Sequence, residues 1–270
     1  MPRESDVIAG SSKPVTRTSI LRDLRALGVV AGDTLIVHSS LSSLGWVVGG
    51  AQTVVEALLD ATTATGTVVV PTQSAGSSDP AGWSNPPVPA EWFDEIRAAM
   101  PVFDPDLTPT SGMGRIVDCF RGHRSTRRSD HPLVSFAANG AAAAAITEHH
   151  PLSPSLGDDS PLGRLYERNA KVLLLGVSHA SNTSLHLAEY RADWSGKTTE
   201  RQGVPRIVDG ARVWLEFEDL ALDETDFDEI GDAFAATGGE TRGRVGQAEA
   251  RLSSQRALVD FATEWMTRNR

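Results

Sequence analysis

The chain has a single cysteine, Cys119, in 270 residues. No intrachain disulfide can form, and a zinc centre built on several thiolates is excluded within one chain. A reducing, cytoplasmic setting fits this composition. No stretch approaches the ~20 apolar residues that span a bilayer, and the polar opening has no apolar core of a secretory signal. The expectation is a protein that is neither secreted nor inserted in a membrane. Positive charge is also scarce: 25 Lys plus Arg against 35 Asp plus Glu give a net charge of −10. That balance disfavours a general binder of nucleic acid or of anionic membranes and accommodates a cationic partner. There is no Walker loop, Rossmann glycine fingerprint, His-Glu-x-x-His zinc helix or internal repeat.

What is present is an alternation of short apolar runs and helical periodicities. Residues 1–16 are polar and read as a flexible arm, and residues 17–270 as a single domain. Ile20, Leu21, Leu24 and Leu27 recur at helical spacing up to Gly28. Thr34 to Val37 reads as a buried strand, with a loop from His38 to Gly45 leaving its carboxyl end. Gly49 and Gly50 then lead into a helix through Val54, Leu58 and Ala61, and Val68 to Val70 is the next strand. Between Gln73 and Pro109 the chain is rich in Pro, Gly and Ser and carries Trp83, Trp92 and Phe103. It is too long for an ordinary connection and too aromatic for a linker, so it reads as a functional loop region with a short helix from Glu91 to Met100. Ile116–Phe120, Ala141–Ile146 and Pro161–Tyr166 read as helices, and Val134–Ala138 and Val172–Leu175 as strands. Residues 192–246 read mainly as β and loop, with Ile207, Val208, Val213, Trp214 and Phe217 as strand candidates. The nine acidic and no basic side chains from Glu216 to Asp232 read as a solvated face. Leu258, Phe261, Ala262 and Trp265 mark one face of a last helix. The expected fold class is α/β: a mixed central sheet with flanking helices and a β/loop-rich insertion.

The chemistry concentrates where the Val172–Leu175 run stops at Gly176. Asn182, Thr183 and Ser184 offer N-cap side chains to a helix on which His186 and Glu189, three residues apart, project from one face. A carboxylate so placed can fix the tautomer of an imidazole and raise its basicity, completing a base and its orienter. A solvated structural pair is the alternative reading. The position argues for the site, because open α/β sheets bind ligands at the carboxyl ends of their strands. His38, Ser39 and Ser40 are read either as ligand contacts or as helix caps. Arg127 to His131 suit a phosphorylated ligand or a solvated basic loop, and Gly112 and Gly114 allow a ligand to approach the backbone.

Taken in order, His38-Ser-Ser-Leu-Ser-Ser-Leu-Gly45, Gly49-Gly50, Pro87 to Trp92, Phe103-Asp-Pro105, Thr108 to Gly114, Arg128 to Pro132, Ser160-Pro-Leu162, Leu173 to Val177 and Asn182 to Glu189 resemble the aminoglycoside 3-N-acetyltransferases from about residue 17 to the C-terminus. The resemblance implies an antibiotic N-acetyltransferase fold. That fold is distinct from the Gcn5-related acetyltransferases, whose Arg/Gln-x-x-Gly-x-Gly/Ala loop the sequence lacks. It further implies acetyl transfer from acetyl-CoA to the 3-amino group of an aminoglycoside, conferring antibiotic resistance, with no metal. His186 matches the general base, Glu189 its orienter, and Thr183 the hydroxyl facing the oxyanion. His38, Ser39, Ser40, Met113, Gly114, Ser129 and His131 match acetyl-CoA contacts. Asp79, Glu91 and Asp193 are candidates for the carboxylates that hold the cationic acceptor. The residues themselves agree with such chemistry, since an ammonium must lose a proton before it can attack and a histidine takes one near neutral pH. Three alternatives stand beside this reading: the same transfer to a non-antibiotic amine, a metal-dependent hydrolase using His179, His186 and Glu189, and a non-catalytic protein that binds CoA or an aminosugar. The sequence leaves regiospecificity and oligomeric state open.

Overall fold

The computed structural model describes residues 3–270. In chain order, α1 (Glu4–Ala9) and α2 (Arg17–Leu27) precede β1 (Thr34–Ser39), α3 (Gly50–Thr62) and β2 (Thr67–Pro71). A long loop carrying α4 (Phe93–Ala99) leads to α5 (Arg115–Arg121), β3 (Arg127–Arg128), β4 (Phe136–Gly140), α6 (Ala143–Thr147) and α7 (Pro161–Glu167). Then come β5 (Lys171–Leu175), α8 (Ser184–Arg191), β6 (Thr199–Val208) and β7 (Ala211–Leu220). The chain continues through α9 (Phe227–Ala236), β8 (Glu240–Val245), β9 (Ala248–Ser254) and α10 (Gln255–Asn269).

Seven strands form one sheet in the order β3-β4-β2-β1-β5-β9-β8, and β6 and β7 pair apart from it as a hairpin. β1 runs parallel to both β2 and β5, and every other pairing is antiparallel. A strand covered on both faces must be apolar on both, which is why these three read as unbroken apolar runs. Alternate residues feed two cores. Leu35, Val37, Val68, Val70, Leu173 and Leu175 pack with α2, α3 and α5, whereas Ile36, Val69, Val172 and Leu174 pack with α6 to α10. Each such side chain, fully buried, contributes about 1.5–3 kcal/mol, so the three strands are a rigid floor for what leaves their ends. The register Ser39↔Leu175 brings the carboxyl ends of β1 and β5 out side by side. From there the chain goes to α3 on one face and to α8 on the other, opening a crevice where the strand order reverses.

Several expectations are corrected. His38 and Ser39 are the last residues of β1, not of the loop after it. The strand expected at Val134–Ala138 is Phe136–Gly140, because its pairing with β2 begins at Pro71↔Phe136. Within the segment expected as a flexible arm, Glu4–Ala9 is helical, the Ser11 hydroxyl accepts from the Trp46 backbone N–H, and Val15 is buried in a bridge to Val47. The acidic run is only partly a solvated face. It contains most of α9, which buries Phe227, Ile230 and Phe234, and Asp219 is itself buried. Among the described residues no helix is long and apolar enough to cross a membrane.

Candidate active site

β5 stops at Gly176, whose φ of +72° turns the chain and where a Cβ would come within 2.5 Å of Ser43. After one tight turn, the Asn182 carboxamide accepts from the Ser184 backbone N–H and α8 begins. The first turn of that helix carries His186, and the His186 Nδ1–H donates to Glu189 Oε2 at 2.5 Å. Glu189 is completely buried. A buried carboxylate costs several kcal/mol unless it is paired, and its second oxygen is paired twice: Oε1 accepts from Arg270 Nη1 at 2.7 Å and from the Asp223 backbone N–H at 3.0 Å. Arg270 also donates to Asp226 and lies 5.0 Å from the centre of the Trp194 ring. Burial alone would lower the Arg270 guanidinium, but the hydrogen bonds and charges of Asp226 and Glu189 outweigh it and hold it raised. With Nδ1 committed to Glu189, Nε2 is the His186 nitrogen left for a ligand.

His186 lines a cleft of about 460 Å³ together with His38, Ser39, Gln73, Gly112, Met113, Thr183, Leu222 and Glu224. Thr183 stands at the start of α8, and its side chain makes no capping hydrogen bond. His38 is buried, and burial first, then the nearby His179 and His186, push its imidazole down to about 3. It is therefore neutral. Among the described residues His38 Nε2 and the Ser39 hydroxyl have no hydrogen-bond partner. Buried polar atoms left unpaired cost about 1–3 kcal/mol each, so a ligand that supplies partners is favoured here. Gly112 and Gly114 both have positive φ, and a Cβ at either would meet nothing within 4 Å. Backbone conformation rather than crowding demands glycine there, and the bare chain leaves room beside Met113.

The structure brings together His186, Glu189, Thr183, His38, Ser39 and Met113, with Gly114 one residue beyond. Ser40 turns to the Ser43 hydroxyl instead. Ser129 and His131 are not among the lining residues. Ser129 is bonded to the His150 ring and to Phe136 N–H, and His131 Nδ1 accepts from the N–H groups of Leu133 and Val134. Burial holds His131 down at about 4. These two residues fix the loop that runs into β4. Arg128, expected near phosphates, spans the carbonyls of Thr72 and Thr108 and lies over the Phe103 ring at 4.8 Å. Among the described residues no Lys or Arg lines the cleft.

The three acceptor-site candidates lie elsewhere. Asp79 is paired with Arg97 at 2.8 Å, while Glu91 and Asp193 are exposed away from the cleft. The carboxylate at the cleft is Glu224, inside the acidic run. Arg270 was also missed, for no sequence motif marks it. The other histidine of the hydrolase alternative, His179, is turned from the cleft: its Nε2 meets Glu240 at 2.8 Å, and it fits only because position 231 is glycine, where a Cβ would sit 2.2 Å from the ring. Among the described residues no group of three or more His, Cys, Asp or Glu is placed to hold a metal ion.

The family model described as aminoglycoside 3-N-acetyltransferase matches residues 36–267. The SPbeta prophage-derived aminoglycoside N(3')-acetyltransferase-like protein YokD of Bacillus subtilis (strain 168) is 48% identical over 264 residues, 97% of this chain and 96% of its own. The crystal structure of YokD superposes with a TM-score of 0.96 at 47% identity and covers 98% of both chains. Aminoglycoside N(3)-acetyltransferase VII of Streptomyces paromomycinus is 39% identical over 277 residues, 97% of this chain and 95% of its own. A solved structure described as AAC-IIIb binary with CoASH gives a TM-score of 0.84 at 33% identity, covering 95% of this chain and 97% of that one. Likeness of this extent spans the strand-end cleft and every element that frames it, and the chain belongs to the aminoglycoside 3-N-acetyltransferase family of acyltransferases.

Proposed function

We propose that the protein acetylates the 3-amino group of aminoglycoside antibiotics at the expense of acetyl-CoA, by direct transfer within a ternary complex, and so confers resistance. The observation that carries this reading is the His186–Glu189 pair, with Nδ1 bonded and the imidazole lining the cleft. His186 Nε2 takes the proton that the attacking amine must lose, and Glu189 holds the ring in the required tautomer and favours the imidazolium that results. Thr183, at the start of α8, is placed to donate to the carbonyl oxygen as it gains charge. The proton held by His186 is then available to the departing thiol. His38 and Ser39 offer unpaired polar atoms at the donor end, and Glu224 offers a carboxylate to an ammonium of the acceptor. The names of the relatives and the CoASH-bound neighbour support the same two substrates. Among the described residues only one acidic side chain lines the cleft, which also suits a less charged, non-antibiotic amine as acceptor.

The test is a panel of aminoglycosides and simpler amines, each incubated with acetyl-CoA while free thiol is followed and the product is mapped by NMR. Acetylation at the 3-amino group, lost in His186→Ala, is the expected result. Turnover only with the simpler amines would move the protein to the second acceptor class, and transfer undiminished in His186→Ala would overturn the assignment of the base.

A further inference from the structure

We infer that Arg270 is a positioning residue of this site: by sharing the Glu189 carboxylate with His186, it sets how tightly Glu189 makes the imidazole hold a proton. The inference rests on His186 being the base. Arg270 is nearly buried, and each of its three guanidinium nitrogens is used. Nη1 donates to Glu189 Oε1 at 2.7 Å, Nε to Asp226 Oδ2 at 2.7 Å, and Nη2 to Asp226 Oδ1 at 2.5 Å and to the Asp223 carbonyl at 2.8 Å. The Trp194 ring, just beyond α8, covers the planar group from one side. A planar fork that ties a helix to a loop in this way is a task for arginine rather than lysine.

The arrangement does more than brace α10 against α8. His186 and Arg270 pull on opposite oxygens of one carboxylate, so the positive charge of Arg270 weakens the hold of Glu189 on an imidazolium. Other charged or titratable groups also face the pair. Asp226 and Asp223 approach Arg270 from the loop before α9, and Lys197 lies beyond the end of α8, with its Nζ bonded to the carbonyls of Tyr190 and Ala192. His38 and His179 act on one another and with His186 at the strand ends, and Glu224 lines the open side of the cleft. Only Arg270 touches Glu189 directly with a full opposite charge on the side away from His186. Loss of Arg270 therefore changes what Glu189 offers the imidazole, and not only how α10 sits on α8.

The test measures the acid limb of the kcat/KM profile together with the titration midpoint of the His186 ring by NMR in substrate-free protein. Arg270→Gln is expected to move both up by about one pH unit, the low end of the range for a charge this close, since Arg270 reaches the imidazole only through Glu189. Arg270→Lys should restore most of that shift while recovering less of kcat, because the charge returns without the fork. Asp226→Asn should move both midpoints down, as it leaves the guanidinium less neutralised. Midpoints unmoved in Arg270→Gln, with kcat lowered equally at every pH and a lower Tm, would reduce Arg270 to a structural tie and overturn the inference. The ring titration also separates the two failures: an active His186→Ala removes the base assignment, whereas the NMR shift reports the Arg270 coupling whatever the base is.

Discussion

Replacing Glu189 with Gln removes the charge of the orienter while keeping an oxygen that can accept from His186 Nδ1. The carboxylate is 2.5 Å from Nδ1 and buried, so its charge lies about 4 Å from the centre of an imidazolium. At an effective dielectric of about 20 that is worth roughly 4 kcal/mol. Arg270 engages the other oxygen at 2.7 Å, and halving the interaction for this competition leaves about 2 kcal/mol. That is ~30-fold at most if all of it is felt in the transition state. The expected result is therefore a kcat lower by about 5- to 30-fold, with the acid limb moved to lower pH as the charge is lost. His186→Ala should lose ~10²–10⁴-fold. Initial rates of thiol release across the pH range, with circular dichroism to confirm folding, read both quantities. A folded Glu189→Gln enzyme with the parent rate and limb would show that the carboxylate only fills space. A loss as deep as that of His186→Ala would show that orientation, not charge, is its main contribution.

Three further outcomes are expected. Glu224→Gln should raise KM for the aminoglycoside by roughly two- to fivefold, as suits an exposed pair, with KM for acetyl-CoA unchanged and the difference shrinking in salt; Asp79→Asn, which breaks only the Arg97 pair, should leave both constants alone, and the opposite pattern would put the acceptor in the Pro- and Trp-rich loops. Cys119→Ser should keep activity, because burial first, then the charge of Glu56, raises the thiol away from its reactive form, and the side chain packs against the core of α2, α3 and α5; an acetylated Cys119 in the mass spectrum would refute direct transfer. His131 is held at about 4 against 6.5 when free, so the unfolded chain binds the extra proton between those values. Its contribution to stability is full above about pH 6.5 and is lost as pH falls towards about 4, at about 1.4 kcal/mol per pH unit. His131→Gln should flatten the acid side of the denaturation profile by that slope, and an identical slope in the variant would refute the assignment.

The parts of the fold and site legible in the sequence are those whose signal is local. β1, β2 and β5 announce themselves because parallel strands must be apolar on both faces, and His186 and Glu189 because three residues is the repeat of one helix face. α9 was equally local, with Phe227, Ile230 and Phe234 at helical spacing, but the acidic residues between them masked the stripe. β9 was missed because its buried Ala248, Ala250 and Leu252 alternate with Glu249, Arg251 and Ser253, which leaves no apolar run to notice. Arg270 and the Asp223 backbone reach Glu189 from 81 and 34 residues away, and no short-range pattern encodes such a meeting. The pairing of Asp79 was hidden for the same reason. A carboxylate looks free in a sequence until its partner, here Arg97 in the next helix, is placed beside it in space.

The hairpin of β6 and β7 follows α8 and ends at Leu220, just before Leu222 and Glu224, and the chain rejoins the main sheet only at β8. One wall of the cleft is thus delivered by an excursion that shares no strand pairing with the floor carrying His38 and Ser39. Heredity can treat the two separately. Substitutions in the hairpin change what stands behind Leu222 and Glu224 while β1 and β5 keep their register and α8, with His186 and Glu189, keeps its place. Descendants of such a chain can diversify in what they modify long before they change how they do it, and a library confined to Leu222 and Glu224 would sample that diversity while sparing the buried Asp219 and the Asp223 and Asp226 that hold Glu189 and Arg270.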